Sequence, residues 1–124
     1  MLATWAQNLF SVWASSAQSL SWSPARAHGI AVTAYAPLAR GSLGRHAALR
    51  GVAQKHGATV EQVALKWLLD QDGVAAIPKA SRVESQKANL DALNVGLDEE
   101  DIKAIAGLPK DKRCVNPGFA PAWD

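Results

Sequence analysis

The sequence predicts an α/β fold in which two parallel strands are flanked by helices. Short apolar runs at residues 30–35 and 73–78 are each followed by segments with helical spacing, and this order favours parallel strands joined by right-handed crossovers. A chain of 124 residues, 48% of them hydrophobic, suits one domain with its own core. Two parallel strands do not form a self-sufficient sheet, so the pattern indicates an incomplete part of a larger α/β structure.

The first predicted strand, Ile30–Tyr35, is a short run of apolar and β-branched residues, which is typical of a strand buried on both faces. Gly29 stands immediately before it, where a glycine commonly ends a preceding helix. Pro37 stops the strand, and residues 39–44 have the composition of a loop.

Two helices are predicted between the strands. The first covers residues 47–56, with Gly57 placed as its cap. The second begins at Thr59 and runs to Asp70, because Thr59 and Gln62 have the spacing of a capping box, in which the glutamine side chain reaches back to the Thr59 backbone.

The second predicted strand covers residues 73–78 and is closed by its own proline. Ser81 and Glu84 have the spacing of another capping box, which predicts a helix that begins at Ser81 and runs toward Leu93. Asp98 is predicted to cap a last helix whose first turn is acidic, as the helix dipole favours.

Residues 1–25 differ in composition from the rest, with no charged side chain, three of the five tryptophans and six serines. Apolar residues recur at helical spacing between residues 2 and 16, which predicts a helix with one apolar face. Gln7 and Asn8 interrupt this stretch, so it lacks the unbroken apolar core of a secretory signal. We interpret it as an atypical N-terminal segment that packs on something else, ahead of a unit at residues 26–124.

Composition argues against several classes of partner and site. A net charge of +2 with scattered charges argues against nucleic acid, and no apolar run approaches the roughly 20 residues that span a bilayer. The single Cys114 excludes an internal disulfide and a cysteine-based zinc cage. His28, His46 and His56 are widely spaced and share no face with carboxylates at metal-ligand spacing, so no metal site is predicted. The expected class is a cytoplasmic globular protein.

Five blocks in order along the chain carry a resemblance to a known family: Gly29–Gly41, Lys55–Trp67, Ala76–Arg82 with Asn89–Leu90, Leu97–Ile105 and Pro121–Asp124. They resemble the aldo-keto reductase family, and the tail is most similar to the bacterial 2,5-diketo-D-gluconate reductases within it. The resemblance implies that residues 26–124 are the C-terminal portion of a (β/α)8 TIM barrel, with its final two strands, their helices and the C-terminal loop. Residues 1–25 show no such block.

The family chemistry, as the resemblance implies it, is the reduction of an aldehyde or ketone by hydride from NADPH. A tyrosine protonates the carbonyl oxygen and is tuned by a lysine, an aspartate and a histidine. In the family these four residues lie upstream of the blocks that match. No position of this chain is therefore assigned a catalytic role.

Lys79 stands at the carboxyl end of a buried strand, where the active sites of parallel barrels lie. Lys79 and Arg82 are two cations near a predicted helix start, where exposed backbone N–H groups favour phosphate. A solvated helix start with an ordinary cap explains the same residues. The resemblance implies that this block holds the 2′-phosphate of NADPH, because Lys79, Ser81, Arg82 and Asn89 match its pattern.

Two positions in the same block depart from the family pattern. Ser85 stands where many members carry a second arginine, and Ala88 stands where many carry a glutamate. Loss of a bidentate phosphate partner costs affinity. The substitution at Ser85 is therefore expected to weaken any preference for NADPH over NADH.

The resemblance also assigns residues outside this block. Tyr35 matches the aromatic residue that stacks on the nicotinamide ring, and Leu38 and Arg40 lie in the loop that passes along the cofactor pyrophosphate. Trp123 matches the substrate-pocket region. From the residues alone, a tyrosine at a strand end is ordinary packing and a terminal tryptophan covers apolar surface.

Three hypotheses of function follow. The first is an NADPH-dependent aldo-keto reductase, acting on a small carbonyl substrate and represented here by its C-terminal portion. The second is a non-catalytic derivative that binds a nucleotide or a partner. The third is a truncated or misassembled reading frame without independent function, which the uncharged residues 1–25 favour.

Overall fold

The computed structural model describes residues 5–8, 27–34 and 37–108, the first four and Arg40 by their backbone alone. Three parallel strands form one sheet in the order β1–β2–β3, namely β1 (Trp5–Asn8), β2 (Ala31–Ala34) and β3 (Val74–Ala76). Ala31 pairs with Trp5, and Val32 pairs with Val74, so β2 lies in the middle of the sheet.

The two strands predicted from the apolar runs are adjacent and parallel, and the α/β class is confirmed. The expectation of only two strands is wrong, because residues 5–8 add a third. The helix predicted between residues 2 and 16 is therefore wrong at these positions. A short apolar segment fits a strand or a helix equally well, and here parallel pairing with β2 decides the outcome.

Four α-helices and three short 3-10 turns complete the described structure. The helices are α1 (Ala47–Lys55), α2 (Val60–Leu69), α3 (Val83–Asp91) and α4 (Glu99–Ala106), and the turns are Ala39–Gly41, Leu43–Arg45 and Ala92–Asn94. Among these described helices, none has the length and hydropathy needed to cross a bilayer.

Helix α2 is buried on two sides and forms the centre of the described structure. On one side Val63 belongs to an apolar cluster that includes Ile105 of α4. On the other side Leu68 packs with Val32 of the sheet. Trp67 packs against both clusters. Each fully buried side chain of this size stabilises the fold by about 1.5–3 kcal/mol. Because α2 buries such side chains on both sides, it joins the sheet to the outer helices.

The helix starts follow two of the three predicted capping patterns. Thr59 and Gln62 form a complete capping box at α2, and Asp98 forms one with Asp101 at α4. The box predicted for Ser81 is wrong. Helix α3 begins at Val83, with Arg82 as an N-cap that makes no side-chain cap bond. This start places Glu84 at the second helical residue, one position short of the place from which a capping glutamate reaches back.

The Asp101 carboxylate ties the end of α1 to the start of α4. It is 2% exposed. It accepts hydrogen bonds from Lys55 Nζ at 3.0 Å, from His56 Nε2 at 2.6 Å and from the Asp98 backbone amide at 3.0 Å. Because a carboxylate only accepts, the His56 Nε2 carries the proton in this contact. The expectation that His56 lies near no carboxylates at metal-ligand spacing is wrong, since packing brings together residues 45 positions apart.

Burial alone would raise the pKa of Asp101, but the hydrogen bonds from the Asp98 amide, His56 and Lys55 outweigh it and hold that pKa well below its usual range. The contact with Lys55 also lowers the pKa of Asp98, and the two carboxylates together raise the pKa of Lys55. The folded state therefore favours both carboxylates in their charged form.

We expect Asp101→Asn to lower the free energy of unfolding by about 1–3 kcal/mol, because the amide cannot accept from all three donors. Urea unfolding of the 124-residue chain at pH 7 measures this. The stabilisation from a depressed carboxyl pKa is fully present above the unfolded value of about 3.9 and is lost as the pH falls below it. The difference between wild type and variant should therefore shrink as the pH falls towards 3.

Glu100→Gln is the matched control, because Glu100 is an exposed carboxylate in the same first turn of α4. It should change the free energy of unfolding by less than about 0.5 kcal/mol. Equal effects of the two substitutions at pH 7 would show that the buried hydrogen bonds of Asp101 do not stabilise the fold.

Candidate functional site

An open groove of about 470 Å³ lies between the start of α2, the segment after β3, and α3. Its described lining combines cations, hydroxyls, amides and small apolar groups, contributed by Leu38, Thr59, Glu61, Gln62, Lys79, Ala80, Ser81, Arg82, Ser85, Ala88 and Asn89. The segments that meet here are as much as 51 residues apart along the chain, from Leu38 to Asn89. The groove is therefore a product of the fold rather than of one local motif.

The residues predicted to contact the cofactor or the carbonyl substrate fall into three groups. Lys79, Ser81, Arg82 and Asn89 all line the groove, and so does Leu38. Tyr35 and Trp123 lie outside the described residues. Arg40 is placed by its backbone in the turn Ala39–Gly41, and nothing is assigned to its side chain.

Lys79 reaches the groove because of where β3 ends. The Ile77 amide donates to the Ala34 carbonyl at 3.0 Å, which continues the pairing with β2 one residue past the strand. Pro78 then has no N–H to donate, so the ladder stops. The chain leaves the sheet at its carboxyl edge, and Lys79 follows directly, exposed to solvent.

Gln62 fastens the two helices that border the groove. Its Oε1 accepts from the Thr59 amide at 2.9 Å, and its Nε2 donates to the Ala88 carbonyl at 2.9 Å. One side chain thus caps α2 and holds α3 against it. The sequence predicts the cap, but it carries no signal for the contact with Ala88, which lies 26 residues away.

The loop that carries Leu38 is held in a strained conformation. Ala39 has a φ of +45°, a value that side chains other than glycine seldom adopt. Ala39 is nevertheless buried, and its carbonyl accepts from the Ser42 hydroxyl at 2.7 Å. Core packing and this hydrogen bond therefore maintain the turn that sets Leu38 against the groove.

The charges of the groove lining are mixed. Lys79 and Arg82 are exposed cations, and Glu61 in the first turn of α2 is a carboxylate. Within the described part of the chain, no ion pair joins Glu61 to either cation. In the sequence Glu61 carries no functional signal, because an acid near a helix start is ordinary and suits the helix dipole.

A second group of ionisable residues lies outside the groove. One nitrogen of His56 and carboxylate oxygens of Asp98 and Asp101 lie within 4.8 Å of one another, a spacing that a metal ion could bridge. The ammonium group of Lys55 already contacts both carboxylates. Its positive charge compensates the negative charges of the two carboxylates. We therefore interpret this cluster as a structural ion-pair network.

The groove suits binding more than covalent chemistry. Two cations favour an anion such as a phosphate ester, and hydroxyl and amide groups can bond sugar and phosphate oxygens. Ser81, Ser85 and Asn89 supply these neutral groups. A polar, anionic ligand that spans the gap between α2 and α3 fits this combination.

Comparison with known proteins identifies relatives of the chain. A family model described as the aldo/keto reductase family matches residues 4–110. The matched stretch begins well before the boundary at residue 26 that the five sequence blocks gave. Methylglyoxal reductase DkgB of Escherichia coli O157:H7 is 43% identical over 101 residues, which are 81% of this chain and 38% of that relative.

Solved structures agree with the sequence relatives. A structure assigned as a 2,5-diketo-D-gluconic acid reductase B has a TM-score of 0.87 at 30% identity, covering 97% of this chain and 43% of its own. An aldo-keto reductase from Klebsiella pneumoniae, in complex with NADPH, has a TM-score of 0.77 at 30% identity, covering 88% and 40%. The chain thus spans about two fifths of the length of these relatives.

We expect Gln62→Glu to lower the free energy of unfolding by about 1–2 kcal/mol at pH 7. The glutamate can still accept from the Thr59 amide, but it cannot donate to the Ala88 carbonyl. Urea unfolding measures the loss. Gln54→Glu, at an exposed position of α1, introduces the same charge and should stay within about 0.5 kcal/mol of wild type. A Gln62→Glu chain as stable as this control would show that the contact with Ala88 contributes nothing.

Proposed function

Because this chain belongs to the aldo/keto reductase family, we propose that its groove binds the adenosine 2′-phosphate end of NADPH in an oxidoreductase that reduces small aldehydes or ketones. One observation carries the proposal: Lys79, Ser81, Arg82 and Asn89 line a single open groove at the carboxyl edge of a parallel sheet. The NADPH complex of a 30% identical relative supports the choice of ligand.

We place β1, β2 and β3 among the strands of a (β/α)8 barrel. The parallel sheet, the helices that follow β2 and β3, and the similarity to longer solved relatives support this placement. In such barrels the ligand lies at the carboxyl ends of the strands. The groove next to Lys79 lies at that end.

The remaining contacts follow the family pattern. Tyr35 stacks on the nicotinamide ring, Leu38 and Arg40 lie along the pyrophosphate, and Trp123 borders the carbonyl substrate. Among these, Leu38 lines the same groove as Lys79 and Arg82, which supports its assignment. The cellular location that fits a reductase dependent on NADPH is the cytoplasm. Neither nucleic acid nor a membrane is a partner in this proposal.

The expected affinity of the 124-residue chain is low. Each charge-assisted contact to the 2′-phosphate contributes roughly 1.5–3 kcal/mol. The exposed position of Lys79 and Arg82 and the cost of association reduce the sum. Two such contacts correspond to a dissociation constant in the millimolar to sub-millimolar range.

A nucleotide-binding function without reduction is the second candidate. One observation favours it: Lys79, Ser81, Arg82 and Asn89 line one groove, and none of the four is a catalytic residue in the family pattern. Binding and catalysis are then separable in this chain, and each has its own test.

We expect Arg82→Ala to weaken NADPH binding about tenfold and to leave NADH binding almost unchanged, because NADH lacks the 2′-phosphate. NMR titration of the 124-residue chain measures affinities in this weak range. Lys87→Ala removes an exposed cation of α3 that does not line the groove, and it should change neither affinity by more than about twofold. Equal losses for both nucleotides in Arg82→Ala would contradict the assignment of Arg82 to the 2′-phosphate.

We expect the 124-residue chain to consume no NADPH in the presence of methylglyoxal or an aldose. Protonation of the carbonyl oxygen by a positioned acid commonly contributes about 10²–10⁴-fold in rate, and hydride transfer also needs an oriented substrate. Absorbance of NADPH over time measures this, with the DkgB reductase as the positive control. Steady consumption that Tyr35→Phe abolishes would reveal a catalytic acid that the family pattern does not assign.

A further inference from the structure

Glu61 brings a carboxylate into a groove whose proposed ligand is an anion. It lies in the first turn of α2, is partly buried, and lines the groove together with Lys79 and Arg82. In the described residues it forms no ion pair with either cation. The groove therefore presents two positive charges and one negative charge to a ligand, a net charge of one.

The helix start does not account fully for Glu61. Acidic residues near an N-terminus interact favourably with the helix dipole, and this holds for Glu61. The capping hydrogen bonds at the same start, however, are completed by Thr59 and Gln62. The Glu61 carboxylate takes no part in them and remains available to a ligand in the groove.

A carboxylate has opposite effects on the two forms of an adenosine ribose. It repels a 2′-phosphate, which carries up to two negative charges at neutral pH. It accepts a hydrogen bond from a free 2′-hydroxyl, which is how acidic residues recognise the ribose of NAD in dinucleotide-binding folds. Ser85, which also lines the groove, is neutral and adds no positive charge to those of Lys79 and Arg82.

We propose that Glu61 is a specificity-determining residue of the groove, which narrows the difference in affinity between NADPH and NADH. The inference rests on the proposed function, because it concerns the nucleotide bound at that site. Lys79 and Arg82 attract the 2′-phosphate, Glu61 opposes it, and the chain accepts both nucleotides with similar affinities.

The test is the ratio of the two dissociation constants in Glu61→Gln, measured by NMR titration of the 124-residue chain. Removing the charge should strengthen NADPH binding about three- to tenfold at low salt and leave NADH binding unchanged or weaker. Raising the salt concentration to 0.5 M should reduce the gain, because salt screens interactions between charges that are accessible to solvent. Circular dichroism checks that the variant keeps its helix content.

Glu84→Gln is the matched control. Glu84 is an exposed carboxylate in the first turn of α3 and does not line the groove. It should leave the ratio of affinities within about twofold of wild type, because an exposed charge outside the groove is largely screened.

The outcomes separate this inference from the proposed function. Suppose that the wild-type chain binds NADPH and that Glu61→Gln leaves the ratio of the two dissociation constants unchanged, or changes it no more than Glu84→Gln does. This result overturns the role of Glu61 and leaves the groove assignment in place. An equal gain for both nucleotides overturns it as well, since it would show a general charge effect. Binding of neither nucleotide by wild type or variant overturns the proposed function and this inference with it.

Discussion

The double-sided burial of α2 is the constraint on which the described structure depends. Leu68 packs in the apolar cluster that includes the sheet, and Val63 packs in the cluster that includes the outer helices. The sheet, α1 and α4 are thereby fixed relative to a single helix. The first turn of that helix also lines the groove. The core packing of α2 thus also positions the groove residues that its first turn carries.

Much of this architecture follows from local sequence patterns, and the elements that depend on such patterns could be predicted. The strands β2 and β3 are short apolar runs bounded by proline, and the caps at Thr59 and Asp98 depend on residues three positions apart. Lys79, Ser81 and Arg82 are close in sequence and follow directly after a strand, so the end of that strand suffices to predict that they lie close together. Such features require only neighbours in sequence, so a single chain reveals them.

The features that could not be predicted depend on packing between distant segments. Strand β1 exists because β2 offers it a parallel partner, which no periodicity within residues 5–8 reveals. The bonds of Gln62 to Ala88 and of His56 to Asp101 join residues 26 and 45 positions apart. Glu61 looked like an ordinary helix-start acid, and only the packing of α3 beside α2 turns its position into part of a groove. Spacing rules describe one element at a time, whereas these contacts belong to pairs of elements.

Helix α3 has no buried residue along its length, and Val83 and Leu90 are 74% and 69% exposed. Little apolar surface joins α3 to the core, so the free energy needed to open this helix locally is small compared with that of global unfolding. Any ligand that binds across the groove only when α3 is packed against α2 adds its binding free energy to that packed state. Such a ligand would order the helix that forms one side of its own site.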